Sequence, residues 1–301
     1  MKYMKSIKYQ IEQVYDRLRY NHAVKDFHIH VLSAEETLLE IIKDRKSLCR
    51  FGDGELYLIF GGGRIDLPFQ QYDEDLSKDL LNIISIPKKN NLLIGLPNIF
   101  NGVGEYTDNA AKFWKTFVGH YQNNLKEIVD SNVVYANSLC TRFYSGYKDK
   151  TKCKSIIALF RKIWTGRDVV IIEGEKTRMG VGNNFFDDVH SLRRILLPAM
   201  NAYSCKDQIV TYVKSNSFHK DTLFLLAAGP TATVLSYELN EMGYQALDVG
   251  HVDIQYEYYL RNADGKVKIE GKYVNEAKDG KDVTDEICDE TYYSSIVACF
   301  K

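Results

Sequence analysis

Two carboxylates lie one residue apart in segment 50–55, which reads RFGDGE and follows a short apolar run. In an extended or tightly turning backbone, side chains at i and i+2 point to the same side, so Asp53 and Glu55 could hold one hard divalent cation together. The glycines allow the chain to turn and to approach a ligand closely. Arg50 adds a planar cation suited to phosphate. The segment indicates a metal and diphosphate site, although Gly-Asp-Gly is also common in plain surface turns.

A second polar segment, residues 173–184, follows an apolar run that predicts a buried strand over 168–172. Its three glycines and mixed charges would be costly to bury, so we expect it to be solvated or built around a charged ligand. Its Gly-Val-Gly lacks the third glycine of the dinucleotide-binding fingerprint. Arg178 is the candidate diphosphate clamp in this segment. The alternative is a surface ion pair with Glu173 or Glu175.

The third segment joins a predicted strand to a predicted helix through Gly229-Pro230-Thr231. Proline is tolerated in a first helical turn because its missing amide has no intrahelical partner. The remaining free amides and the Thr231 hydroxyl form a potential anion site, unless the segment is a plain connection. Arg142, shortly after a predicted strand over 133–135, could add a second cation for phosphate or could be solvated.

The fourth segment places polar residues at every second position from 251 to 257, directly after a predicted strand. In a helix, Asp253 and Glu257 would lie one turn apart on one face; in a strand, all the polar residues would share a face. In both cases His251 and two carboxylates converge. Such a cluster can provide a general base, a metal ligand or a partner for a sugar hydroxyl.

Apolar strands of four to six residues alternate with helices through the second half of the chain, which predicts an α/β fold. We expect a Rossmann-like, mostly parallel sheet with helices on both faces. Ligands bind beyond the carboxyl ends of such strands, where all four polar segments fall. We predict one domain over residues 1–301, with N-terminal helices within about 1–45 and a C-terminal appendage over about 263–301. Residues 263–286, rich in Lys, Asp and Gly, are expected to form a solvated hairpin or appendage.

The composition excludes several classes of protein. A net charge of −1 over 301 residues argues against nucleic acid as the main partner. No apolar run approaches the ~20 residues of a transmembrane segment, and no signal peptide is evident. The six scattered cysteines lack a C-x-x-C pair, which indicates reduced thiols. We therefore expect a cytoplasmic protein.

Three motifs, RFGDGE, EGEKTRMGVGNNFFDD and AAGPTATVLSYELNEMGYQALDVGHVDIQYEY, resemble those of one bacterial family. That family was first catalogued as a domain of unknown function and later recognised as glycosyltransferases of the GT-D fold. The resemblance covers roughly residues 30–265. It implies metal-dependent transfer from a UDP-sugar, including onto glycans of serine-rich surface adhesins. It also implies a D-x-E metal motif at Asp53 and Glu55.

The same resemblance assigns the family's glycine-rich arginine loop to Arg178 and its G-H-x-D segment to His251 and Asp253. This chain departs from the family at Gln255, where glutamate is expected more often. Because an amide cannot act as a base, Glu257 becomes the better candidate for deprotonating the acceptor.

Our hypothesis is a transferase that moves glucose or galactose from a UDP-sugar to a protein-linked or lipid-linked glycan, with Mn²⁺ or Mg²⁺. Arg50, Arg178 and the helix start at Gly229 would share the diphosphate charge. A single base suits inversion but does not settle the stereochemistry, and a homo-oligomer is possible. The alternatives are a metal-dependent phosphohydrolase of nucleotides or sugar phosphates, and a non-catalytic sugar-nucleotide-binding partner.

Overall fold

A computed structural model describes residues 2–61, 66–86, 89–283 and 286–301, with side chains from residue 10 onward. In the described chain, nine strands form one sheet in which every pairing between neighbouring strands is parallel. The strands are β1 (His30–Val31), β2 (Ser47–Arg50), β3 (Leu92–Leu96), β4 (Val134–Asn137), β5 (Asp168–Gly174), β6 (Ser191–Leu197), β7 (Leu223–Ala227), β8 (Gln245–Asp248) and β9 (Ile296–Cys299). Their order is β1-β4-β3-β2-β8-β7-β5-β6-β9. The predicted α/β fold with a parallel sheet is confirmed.

Helices connect the strands, and some of them begin with side-chain caps. Ser33 caps the second helix reciprocally with Glu36, as a capping box does, and Asp73 caps the fourth. The described helices are α1 (Lys2–Asp26), α2 (Ala34–Asp44), α3 (Asp53–Phe60), α4 (Glu74–Ile84), α5 (Asp108–Ile128), α6 (Cys153–Trp164), α7 (Lys206–Ser215), α8 (Pro230–Glu241), α9 (Val252–Leu260) and α10 (Glu290–Ser295).

β2 and β8 are neighbours in the sheet, but the helices that follow them lie on opposite faces. Adjacent β2 residues Leu48 and Cys49 point to opposite faces and pack into two different cores. Leu56 of α3, which follows β2, packs with Cys49, whereas Ile254 of α9, which follows β8, packs with Leu48. Helices therefore leave β2 and β8 on opposite faces, which opens a crevice between the carboxyl ends of these strands.

The N-terminal helix α1 packs across α5 at a very close approach. A Cβ on Gly119 would lie 1.7 Å from the backbone oxygen of Asp16. Two residues later, at Tyr121, the backbone of α5 leaves helical geometry. The kink in α5 therefore lies just after the closest contact with α1.

The C-terminal segment over residues 263–283 packs onto the domain. Ile269 and Val274 are each 1% exposed and belong to the core that contains α9. Lys272 is buried as well. The prediction of a solvated appendage is wrong at these residues, because the charges that suggested it include a lysine neutralised by buried acids.

The structure also bears on the expectations about disulfide bonds and membrane-spanning segments. All six cysteines are free thiols. Within the described ranges, the structure contains no helix with both the length and the apolar character needed to cross a membrane.

Candidate functional site

Arg50 closes the floor of the crevice between β2 and β8. Its Nε donates to the Asp248 carbonyl oxygen at 2.8 Å, and its Nη2 donates to Asp248 Oδ1 at 2.8 Å. Its Nη1 donates to the carbonyl oxygen of Ser138, at the end of β4, at 3.1 Å. The guanidinium thus ties together the ends of three strands and is only 14% exposed. This structural role does not support the prediction that Arg50 binds phosphate.

Asp53 and Glu55 lie in the first turn of α3, at its first and third positions. Side chains two residues apart on a helix diverge by roughly 200°, so the same-side geometry predicted for them is wrong. Glu55 Oε2 accepts a hydrogen bond from the Gly52 amide at 2.7 Å. Burial, with the nearby carboxylate of Asp248, raises the pKa of Glu55 to about 7.

Asp53 lies in a different set of charges. Burial raises the pKa of its carboxyl above the ordinary value, Arg142 opposes that rise, and Glu276 adds to it. In the part of the chain that the structure describes, no positively charged side chain lies within ion-pair distance of the Asp53 carboxylate. Asp53 is therefore an acid at a helix N-terminus, where negative charge is stabilised, with capacity to bind a further cation.

Arg142 ends the 3-10 helix Ser138–Arg142 that follows β4. Its Nη2 contacts Glu276 Oε1 at 2.6 Å, and both side chains are about a quarter to a third exposed. Lys266 contacts the second oxygen of Glu276. Burial raises the pKa of Glu276, but the two cations outweigh it and hold that pKa well below its usual range.

His251 caps α9 at the opposite side of the crevice. Burial, and then the positive charge of Arg142, lower its pKa to about 4. The imidazole is therefore neutral near pH 7 and can accept as well as donate a hydrogen bond. We call five residues the mouth cluster: Asp53, Arg142, His251, Lys266 and Glu276.

Sequence reasoning missed two members of this cluster, Lys266 and Glu276. Neither follows a strand or belongs to a recognisable motif; both come from the charged segment 263–283, which was expected to be solvated. The buried apolar residues Ile269 and Val274 between them are the signal that this segment packs on the domain.

Arg178 lies away from the mouth cluster. It is 3% exposed, has a φ of 51°, and its Nη1 donates to the Gly271 carbonyl oxygen at 3.0 Å. The alternative, a surface ion pair with Glu173 or Glu175, is not supported either, because Arg178 is buried and Glu173 is fully buried in a pair with Arg194. Arg178 therefore helps to fasten the C-terminal segment, which does not support its assignment as a diphosphate clamp.

The start of α8 is covered rather than open. Pro230 occupies the first turn as predicted, and Gly229 has a φ of 55°. A Cβ at Gly229 would lie 2.5 Å from Cε2 of Phe69, whose ring packs against the turn. Thr231 is fully buried. The predicted anion site at Gly229, Pro230 and Thr231 is therefore not supported by this geometry.

Asp253 and Glu257 lie one turn apart on α9, as the helical alternative predicts, but they face inward. Lys272 Nζ contacts Asp253 at 2.6 Å and Glu257 at 3.1 Å. Asn183 Nδ2 donates to the same two carboxylates at 2.8 and 2.7 Å. All three ionised side chains are at most 5% exposed. Burial raises the pKa of Glu257, but Lys272 and the hydrogen bonds lower it overall.

This network is structural, and it does not support either acid as the base that deprotonates an acceptor. Gln255 also has a structural contact, since its Oε1 accepts from the amides of Tyr144 and Ser145 at 3.2 and 2.8 Å. Gln255, the position at which this chain departs from the family, therefore holds a loop in place.

Two cavities in the described chain lie elsewhere. One of 770 Å³ lies between the glycine-rich loop and α10, and one of 540 Å³ lies at the amino ends of β3 and β4. Neither is lined by the mouth cluster. We place the candidate site at the crevice for three reasons. Asp53 lies there without an ion pair in the described chain, and Arg142 and Lys266 are partly exposed there. The helices that follow β2 and β8 also leave the sheet on opposite faces at this point.

The chain is similar to known proteins over most of its length. The family model described as "Glycosyltransferase GT-D fold" matches residues 48–277. "Glycosyltransferase GlyD" of Streptococcus pneumoniae serotype 4 (strain ATCC BAA-334 / TIGR4) is 38% identical over 270 residues, which cover 90% of this chain and 32% of that protein. "Probable glycosyl transferase Gly" of Streptococcus gordonii is 36% identical over 270 residues, 90% of this chain and 39% of that protein. The chain thus spans about a third to two fifths of the length of these curated relatives.

Solved structures agree with this similarity. One, described as a highly conserved domain of unknown function 1792 with a distinct glycosyltransferase fold, has a TM-score of 0.86 and 33% identity, covering 93% of this chain and 99% of that chain. Another, a new glycosyltransferase (DUF1792) from Streptococcus sanguinis, has a TM-score of 0.84 and 34% identity, covering 91% of this chain and all of that one. The family match spans the mouth cluster from Asp53 to Glu276. This chain therefore belongs to the glycosyltransferase family of the GT-D fold.

Proposed function

We propose that this chain is a metal-dependent glycosyltransferase that moves a hexose, glucose or galactose, from a UDP-sugar to a glycan acceptor. One observation carries the proposal. Asp53, without an ion pair in the described structure, and the partly exposed Arg142 meet at the crevice where ligands bind in an open parallel sheet. That crevice lies within the part of the chain that matches a glycosyltransferase family.

Asp53, at the start of α3, fits a metal ion that arrives with the nucleotide. The described residues contain no group of three or more His, Cys, Asp and Glu side chains able to hold a metal by themselves. Mg²⁺ commonly takes one or two carboxylates and completes its ligands with phosphate oxygens and water. Asp53 would hold Mn²⁺ or Mg²⁺ in this way, whereas Glu55 points away from it on α3 and accepts a hydrogen bond from the Gly52 amide. The bound ion would supply neutralisation of charge on the leaving diphosphate.

Arg142 and Lys266 provide the positive charge for the diphosphate. Both side chains are partly exposed at the mouth, at 29% and 46%. A guanidinium suits phosphate because its planar donors can make two parallel hydrogen bonds. These cations take the place that the sequence-based hypothesis gave to Arg50 and Arg178, because Arg50 binds the carbonyl and carboxylate oxygens of Asp248 and Arg178 binds the Gly271 carbonyl oxygen.

Neutral His251, across the crevice, can orient a sugar hydroxyl by donating or accepting a hydrogen bond. The acceptor oxygen would attack C1 as the bond from C1 to the diphosphate breaks. A direct displacement, in which the acceptor oxygen attacks C1 on the side opposite the leaving diphosphate, would invert the configuration at C1. The acceptor would be a protein-linked or lipid-linked glycan, as in assembly of surface glycoproteins or polysaccharides.

A direct test measures UDP release from UDP-glucose and UDP-galactose, with and without Mn²⁺ and a glycan acceptor. We expect release that needs the ion and is accelerated by the acceptor. Asp53→Asn should reduce it by on the order of 10²-fold or more. Asp75→Asn, which changes an exposed acid in the first turn of α4, is the matched control.

Two outcomes would contradict the proposal. Release of inorganic phosphate in place of UDP would make the chain a phosphohydrolase. Tight UDP binding without turnover under any acceptor would make it a binding partner in a glycosylation complex.

A further inference from the structure

We propose that Glu276 competes internally with the donor: it holds Arg142 and Lys266 in the free enzyme, gives them up to the diphosphate, and then takes the acceptor's proton. This inference rests on the proposed function and adds to it a base and a coupling between donor binding and activation of that base.

The two ion pairs of Glu276 lie where a ligand can reach them. Arg142 contacts one carboxylate oxygen at 2.6 Å and Lys266 contacts the other, so both oxygens are occupied. All three side chains are partly exposed at the crevice. Because water reaches all three side chains, an exchange of partners does not leave an uncompensated charge in the protein interior.

The buried network on α9 provides the contrast. Lys272 and its acids, Asp253 and Glu257, are at most 5% exposed, and breaking such a pair leaves an uncompensated buried charge. Those acids remain paired whether or not a ligand is bound. Glu276 is the carboxylate of the mouth cluster whose partners are also the cations available to a diphosphate.

A diphosphate is a stronger competitor for these cations than one carboxylate. It carries more negative charge and presents more acceptor oxygens to the Arg142 fork. When it binds, Glu276 loses its two partners but stays at the mouth. The segment that contains Glu276 is anchored to the domain core by Ile269, Lys272 and Val274.

The released carboxylate then lies beside the donor with free oxygen lone pairs. The acceptor hydroxyl oxygen forms a bond to C1 of the sugar, and the bond from C1 to the diphosphate oxygen breaks with its electron pair leaving on that oxygen. The hydroxyl proton moves to the Glu276 carboxylate. Because the carboxylate is freed only after the diphosphate binds, activation of the acceptor depends on a bound donor.

The test compares Glu276→Gln with Glu270→Gln, which changes an acid that is 83% exposed on the same segment. UDP binding in the presence of Mn²⁺ is measured by calorimetry, and transfer from a UDP-sugar is measured separately. Glu276→Gln should tighten UDP binding by roughly 2–5-fold, because the competitor is removed. It should slow transfer by on the order of 10²–10⁴-fold, because the base is removed. Glu270→Gln should change neither.

A third variant, Glu276→Asp, keeps the charge and should recover part of the transfer rate while binding UDP like the wild type. Weaker or unchanged UDP binding in a folded Glu276→Gln would overturn the competition, and near-normal transfer would overturn the base. If the wild-type chain neither binds UDP nor transfers sugar, the proposed function fails. An active wild type with an unaltered Glu276→Gln variant rejects the further inference alone.

Discussion

At the scale of single residues, exposure and partners separate the charged side chains that can bind a ligand from those that hold the fold. Arg50 and Arg178 are nearly buried and contact backbone oxygens. Asp53 and Arg142 lie at the crevice, where they can meet a ligand. Sequence reasoning selected all four by residue type and position, but only contacts between distant segments assign them to different roles.

The imidazole of His251 should make the stability of the protein depend on pH. Its pKa falls from an ordinary 6.5 to about 4 on folding, so between these values the unfolded chain binds more protons. Stability is then lost as the pH falls from about 6.5 to about 4, by on the order of 2 kcal/mol for this group.

The measurement compares urea unfolding of the wild type with that of His251→Gln at about pH 7 and about pH 4.5. Other acids titrate in both proteins, so only the difference between them reports on His251. The wild type should lose more unfolding free energy than the variant. Equal losses would show that the imidazole is not held neutral.

At the scale of elements, the C-terminal segment depends on the buried charges of α9. Lys272→Met would leave the carboxylate of Asp253 buried without a cation, and would leave Glu257 with the half-exposed Arg261 as its one remaining ion-pair partner in the described chain. We expect a loss of about 3–5 kcal/mol in the free energy of unfolding. Lys268→Met, on the same segment but more exposed, is the control.

Neutralising the acids as well, with Asp253→Asn and Glu257→Gln, should recover most of that stability, because the unpaired charges are gone. A loss below about 1 kcal/mol in the single Lys272→Met variant would contradict the structural role given to these acids.

The crossing of α1 and α5 gives a second prediction at this scale. Alanine usually stabilises a helix interior by up to about 1 kcal/mol relative to glycine. At Gly119 the added Cβ would lie 1.7 Å from the oxygen of Asp16, so the clash should outweigh propensity.

We expect Gly119→Ala to loosen α1, seen as faster proteolytic cleavage within α1. Gly104→Ala, where a Cβ meets nothing within 4 Å, should leave the cleavage rate unchanged. A more stable Gly119→Ala protein would show that α1 does not cross α5 this closely.

At the scale of the whole molecule, alternating apolar strands and helices predicted the parallel sheet, and the polar residues after the strands predicted its functional edge. Asp53, Arg142 and His251 follow strands, so they could be placed at that edge in advance. Glu276 could not, because it reaches the site only through the packing of Ile269 and Val274. Lys272 likewise determines that Glu257 faces inward, and no spacing in the sequence records that contact.

The proposed activity requires that the crevice between β2 and β8 binds the diphosphate of a sugar nucleotide together with a metal ion. A crystal structure of the chain with Mn²⁺ and UDP would show whether it does, since anomalous scattering locates the ion. We expect an ion bound to the Asp53 carboxylate and to the diphosphate, with Arg142 turned from Glu276 to a phosphate oxygen. This expectation would be contradicted by a diphosphate bound elsewhere, such as the cavity beside α10, with Asp53 uninvolved.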